Sequence, residues 1–181
     1  EAERSQYVFF WKPEDSEGIY SQWWADHPFT GTVPSTAGSP ETIFTYNTAE
    51  HYMMAHKARL FGDLEVEAQI LGNGDPSDAP DAREVKALGR LVKNFVEATW
   101  NANRLRIVEE GNMLKFTQHE ELRKQLLATG ERQLVEASPM DRIWGVGFGE
   151  RNAPYNKGRW GLNLLGIALM NVRKRLREQD E

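Results

Sequence analysis

The sequence predicts a mainly α fold: a single compact helical domain with a few short β-strands, over residues 1–181 with its core at about 7–176. Several stretches carry apolar residues at the i, i+3, i+4 spacing of a helix, whereas the β-prone runs are short and bounded by Gly, Pro, Asp and Ser. At 181 residues the chain suits one domain and is long enough to bury a core.

In order, "YVFFW" at 7–11 is aromatic and β-prone and predicts a short strand, which "KPEDSEG" ends. "YSQWWADHPF" holds two adjacent tryptophans that must point different ways, and "GTVPSTAGSP" at 31–40 is a turn-rich connector expected to be the flexible stretch. "ETIFTYNTAE" predicts a short strand running into a helix, with Asn47 or Thr48 as N-cap and Glu50 in the first turn. That helix is "AEHYMMAHKARLF", residues 49–61.

"LGNGDPSDAP" predicts a loop, and "DAREVKALGRLVKNF" a helix whose Val85, Leu88, Val92 and Phe95 keep helical spacing. "ATWNANRLRIVEEGNMLKF" continues helical to a break at Gly111, and "QHEELRKQLLATGE" is an amphipathic helix closed by Gly130. "QLVEAS" predicts a strand and "DRIWGVGFG" a strand and turn. In "GLNLLGIALMNVRKRLREQ" a final helix lines Leu162, Leu165, Leu169 and Val172 on one side, and its basic last turn suits the helix dipole.

A net charge of -5 argues against a protein that grips nucleic acid by blanket phosphate neutralisation. The absence of cysteine excludes disulfides, thiolate metal sites and cysteine nucleophiles. No apolar run approaches the roughly 20 residues of a membrane span and no leader opens the sequence, so a cytoplasmic or nuclear setting is expected.

"HYMMAH" spaces its histidines five apart, about 140° around a helix, so they do not share a metal as an i, i+4 pair would. "GVGFGE" lacks the spacing of a dinucleotide or P-loop motif, and no Gly-x-Ser-x-Gly elbow is present. No metal and no cofactor is expected. In the 49–61 helix, by contrast, Glu50, Met53, Met54 and Lys57 share one face, half apolar and half ionisable. Long side chains two turns apart can converge on one ligand, although solvated charges are the commoner state of a helix face. Asp141 reads first as a turn or cap residue, and Trp100 and Trp144 are more commonly core fillers than stacking platforms.

Several long blocks of the sequence, "AEHYMMAHKARLF", "ILGNGDPSDAPDAREVKALGRLVKNF", "ATWNANRLRIVEEGNMLKFTQHEELRKQLLATGERQLVEASPMDRIWGVGF" and "RWGLNLLGIALMNVRKRL", closely resemble the NADAR family, the NAD- and ADP-ribose-associated proteins. The resemblance implies a mainly helical domain that hydrolyses the bond between a ribose C1 and a nitrogenous base. The implied substrates are a ribosylaminopyrimidine phosphate of riboflavin synthesis or ADP-ribosyl-guanine in nucleic acid. Position by position, the family's acid in the E-H-Y block falls on Glu50, its lysine in the same helix on Lys57, its tryptophan on Trp100 and its acid before R-I-W-G on Asp141.

Glu50, Lys57 and Asp141 are therefore the candidate catalytic residues. Trp100, Trp144, Trp11, Phe10 and Asn163 are the candidate substrate contacts. N-glycoside hydrolysis needs carboxylates that stabilise an oxocarbenium-like ribose and protonate the leaving nitrogen. Glu50 beside Met53 and Met54 is expected to have its pKa raised by desolvation and to move the proton. Lys57 either attacks C1 of the ring-opened ribose as a neutral amine or holds charge beside it. A non-catalytic module that binds ADP-ribose or a nucleotide is the alternative, and a pure binder has no need of an acid and an amine around one sugar. The sequence departs from the family in a long insert at 25–43, which leaves substrate choice open, and in "NAPYNKGRW", a variable loop whose Lys157 and Arg159 have the chemistry to meet a phosphate; the sequence assigns neither loop a ligand.

Overall fold

The computed structural model describes residues 3–34 and 41–181. Among them the order is β1 (Tyr7–Phe10), β2 (Phe29–Val33), β3 (Thr42–Tyr46), α1 (Ala49–Leu60), α2 (Leu64–Ile70), α3 (Ala82–Gly89), α4 (Glu97–Gln118), α5 (Glu120–Ala128), β4 (Gln133–Glu136) and α6 (Leu164–Gln179). The class is mainly α with a few short strands, as the sequence predicts. The chain forms two compact units, Glu1–Trp24 with His119–Glu181, and Ala25–Gln118.

In the first unit β1 and β4 pair in parallel, from Tyr7 opposite Gln133 to Phe10 opposite Glu136. α6 packs on β4. Its stripe of Leu165, Leu169, Val172 and Leu176 is fully buried, each side chain contributing roughly 1.5–3 kcal/mol of apolar transfer. Leu162, counted in that stripe from the sequence, precedes the helix and is exposed. Gly130 closes α5 in a left-handed conformation, φ 63°. Arg173 of α6 ties that end down, donating from Nη1 to Thr129 Oγ1 at 2.7 Å and to the Arg132 carbonyl at 2.8 Å.

In the second unit β2 and β3 form an antiparallel pair, with Phe29 opposite Tyr46. β2 corrects the sequence reading, because residues 31–33 were assigned to the connector. "FTGTV" buries alternate residues, and Gly31, which suggests a turn, is a gap beside Tyr46 and Leu114. Residues 35–40, the rest of that connector, lie outside the described residues, and with them the expectation of flexibility there.

α1 packs on α2, α3 and α4. α4 runs unbroken through Gly111, against expectation, because the glycine admits Tyr52: a Cβ there would lie 2.5 Å from Tyr52 Cδ1. α3 stops at Gly89, so the predicted helix does not reach Phe95; a Cβ on Gly89 would lie 2.0 Å from Met54 Sδ, so this position needs a glycine. Instead Asn94 turns left-handed at φ 61°, a conformation asparagine tolerates, and Phe95 sits on a linker. α2, which follows the Gly62 turn, went unread in the sequence, and "DRIWGVGFG" forms turns rather than a strand.

Candidate active site

α1 is fixed at its start by a polar chain. Thr48 is extended, φ -143°, and its Oγ1 accepts the His51 backbone N–H at 3.2 Å as an N-cap. His51 Nε2 lies 2.7 Å from the Pro80 carbonyl, which only accepts, so this nitrogen carries the proton. Nδ1 then accepts from the Thr48 hydroxyl at 2.8 Å. His51 is a satisfied, buried histidine whose ring is kept neutral by burial.

One turn on, His56 stacks on Tyr52 with ring centres 4.0 Å apart, and its Nε2 lies 3.1 Å from the Tyr46 hydroxyl. Burial, with Arg59 and Arg106 adding to it, holds the imidazole down to about 4. Both histidines serve the helix's packing.

On this frame Glu50 is buried, 6% exposed, with Met53 and Met54 buried on the same face. Lys57, half-buried, brings its Nζ 5.3 Å from the centre of the Trp100 ring and 4.8 Å from that of Phe95. Burial pulls the Lys57 ammonium below the ordinary lysine range, the Glu50 carboxylate pulls it back up, and Arg90 adds to the fall. Trp100 is 8% exposed in the first turn of α4, where its N–H reaches the Val96 carbonyl at 3.0 Å. Glu50, Lys57 and Trp100 thus gather in the second unit. Phe95 joins them unannounced: its helical spacing made it look like core, whereas it is 45% exposed on the linker.

Phe10, Trp11, Asp141, Trp144 and Asn163 belong to the first unit. Asp141 Oδ1 accepts the N–H groups of Ile143 and Trp144, each at 2.9 Å, so one carboxylate oxygen builds the turn. That turn is laced to the start of α6. Leu164 N–H donates to the Ile143 carbonyl and Leu165 N–H to that of Trp144, both at 3.1 Å, which satisfies N-terminal donors of the helix.

Asn163, left-handed at φ 52°, accepts the Glu136 N–H at 3.0 Å on Oδ1 and donates from Nδ2 to the Leu134 carbonyl at 2.9 Å. Its amide is committed to the end of β4. Phe10 is buried and packs on Tyr20, ring centres 5.7 Å apart, whereas Trp11 is 38% exposed with Lys12 Nζ 4.9 Å from its ring. Phe10, Trp11 and Ala137 line part of a cavity of about 310 Å³. In "NAPYNKGRW", Lys157 pairs with Glu3 at 2.7 Å, and the Arg159 carbonyl accepts from Arg142 at 2.6 Å. Among the described residues no helix is long and apolar enough to cross a membrane.

Comparison with known proteins adds a consistent pattern. The family model described as the NADAR domain matches residues 9–177. A protein of Acanthamoeba polyphaga mimivirus named as an N-glycosidase is 40% identical over 179 residues, covering 95% of this chain and 97% of that protein. A protein of Vibrio vulnificus named as a riboflavin biosynthesis protein is 30% identical over 173 residues, covering 96% of this chain; the chain spans 39% of that protein's length. The NMR structure of the E. coli protein YbiA is similar at a TM-score of 0.67 and 26% identity, covering 96% of this chain and 86% of that one.

Proposed function

The chain belongs to the NADAR domain family, and from that premise we propose that it is an N-glycosidase, a hydrolase of the bond between a ribose C1 and a nitrogenous base. The observation that carries the reading is the grouping of a buried carboxyl, a half-buried amine and a tryptophan ring on α1 and α4. A module that only binds has no use for the first two.

Glu50 is assigned the proton transfer. Cleaving an N-glycoside leaves a poor nitrogen leaving group, which departs more readily when protonated, and a carboxyl held among Met53 and Met54 is shielded from bulk water. Lys57 is assigned to the sugar. Its lowered proton affinity supports an amine that is part-time neutral, able to add to C1 of the ring-opened ribose; the C1–N bond to the base then breaks as Glu50 protonates the leaving nitrogen, and water hydrolyses the resulting Schiff base to free the ribose and the amine, whereas a charged Lys57 stabilises ribose oxygens instead. Borohydride reduction during turnover separates these routes by leaving, or not leaving, a covalent adduct on Lys57.

Trp100 is assigned the flat base, a stacking contact worth about 1–3 kcal/mol in nucleic-acid proteins. Asp141 is assigned as the second carboxylate on the resemblance of its motif to the family's, and its turn uses only Oδ1. Trp144, Trp11, Phe10 and Asn163 stay as proposed contributors to substrate binding.

For the substrate, a ribosylaminopyrimidine phosphate is the reading supported by the net charge of -5 and by the Vibrio relative's name. The test is a side-by-side assay with that compound and with an oligonucleotide carrying ADP-ribosyl-guanine, following released base by mass spectrometry. Release from the pyrimidine supports the reading. Release from the oligonucleotide alone moves the substrate to modified nucleic acid, and release from neither overturns the enzyme.

A further inference from the structure

We propose that Phe95 is a positioning residue for the Lys57 amine, its ring and that of Trp100 forming a two-walled aromatic cradle. The proposal rests on the reading above, in which Lys57 serves the sugar.

The geometry is specific. The Lys57 nitrogen lies within 6 Å of both ring centres, 4.8 Å from Phe95 and 5.3 Å from Trp100, which is the range where a ring's negative face attracts a cation. The two walls differ. Trp100 is 8% exposed and fixed in a helix, while Phe95 is 45% exposed and so forms the side open to an incoming ligand.

The linker carrying Phe95 is held in place at several points. Val92 is buried, the Lys93 N–H donates to Asp63 Oδ2 at 2.9 Å, Asn94 takes its left-handed conformation, and the Phe95 ring stands edge-on to Phe61 at 5.3 Å. The charged groups that act on Lys57 are Glu50 on α1 and Arg90 at the end of α3, of opposite sign.

The test compares the parent protein with Phe95→Leu, which keeps apolar packing on Phe61 but loses the ring, and with Phe95→Tyr, which keeps both. The Lys57 side-chain Hε and Cε signals are followed by NMR, assigned with Lys57→Arg, alongside turnover and melting temperature. The cradle predicts an upfield ring shift of the Lys57 Hε protons that shrinks in the Leu variant and returns in the Tyr variant. Turnover falls roughly three- to tenfold in the Leu variant, the span of a cation–π contact at a partly exposed site, and recovers with Tyr. Phe95→Met is a second ring-less variant should Leu disturb the linker.

Lys57 signals that do not move in the ring-less variants overturn the proposal. So does a ring shift that vanishes while turnover stays at the parent's level. A parent protein that shows the ring shift but cleaves no glycoside sinks the glycosidase reading while the cradle stands supported.

Discussion

The ring of Tyr52 occupies the place where a side chain on Gly111 would begin, with 2.5 Å between Tyr52 Cδ1 and a Cβ built on the glycine. This contact sets how closely α1, which carries Glu50 and Lys57, approaches α4, which carries Trp100. Tyr52 has little room to yield, being packed against Tyr46 at 4.9 Å and His56 at 4.0 Å between ring centres.

Gly111→Ala is therefore expected to destabilise the protein by about 1–2 kcal/mol. Overpacking costs about 1–3 kcal/mol, and the better helix propensity of alanine returns up to about 1 kcal/mol. Urea unfolding measures the net value. A stabilised variant would show that Tyr52 can move aside.

Acid should weaken the fold through His56. Its folded pKa is held down to about 4, against 6.5 unfolded. Between these values the unfolded chain binds a proton that the folded chain refuses, so stability falls as pH drops through 6.5 toward 4, by up to about 3 kcal/mol from this group. His51, lowered in the same direction, adds to the loss. Stability measured by urea at several pH values should show a shallower fall in His56→Gln than in the parent. Parallel curves would count against a buried neutral His56.

Asn163→Ala should cost about 2–4 kcal/mol, since it leaves the Glu136 N–H and the Leu134 carbonyl without the amide that pairs them. Asn163→Gly separates the backbone's share: glycine accepts φ 52° freely, so it should be less damaging than alanine by about 1–2 kcal/mol. Equal losses would place the whole effect in the side chain.

Much of this was legible in the sequence where local chemistry and tertiary demand agree. Thr48 caps α1, β1, β3 and β4 stand where β-prone runs were seen, and Gly130 closes α5. The reading failed where a residue's reason is a distant neighbour. Gly111 looked like a break and is a seat for Tyr52, Gly31 looked like a turn and is a gap in a strand, and Gly89, the last residue of α3, leaves room for Met54. At the candidate site, one helix face pointed to Glu50 and Lys57 and the resemblance to the family pointed to Trp100, and the structure brings these three together in the second unit. Phe95 was hidden, because helical spacing cannot reveal that the helix stops six residues earlier, at Gly89.

The central claim is that the carboxyl of Glu50 moves a proton during cleavage of an N-glycosidic bond. Glu50→Gln nearly keeps the side chain's shape while removing the transferable proton, so the decisive measurement is its kcat beside its affinity for the ribosylaminopyrimidine phosphate. The account predicts a kcat lower by about 10²–10⁴-fold, the usual worth of general acid–base catalysis, with binding and melting temperature little changed. A Gln variant that turns over like the parent, or a parent that binds the compound and never releases base, would contradict it.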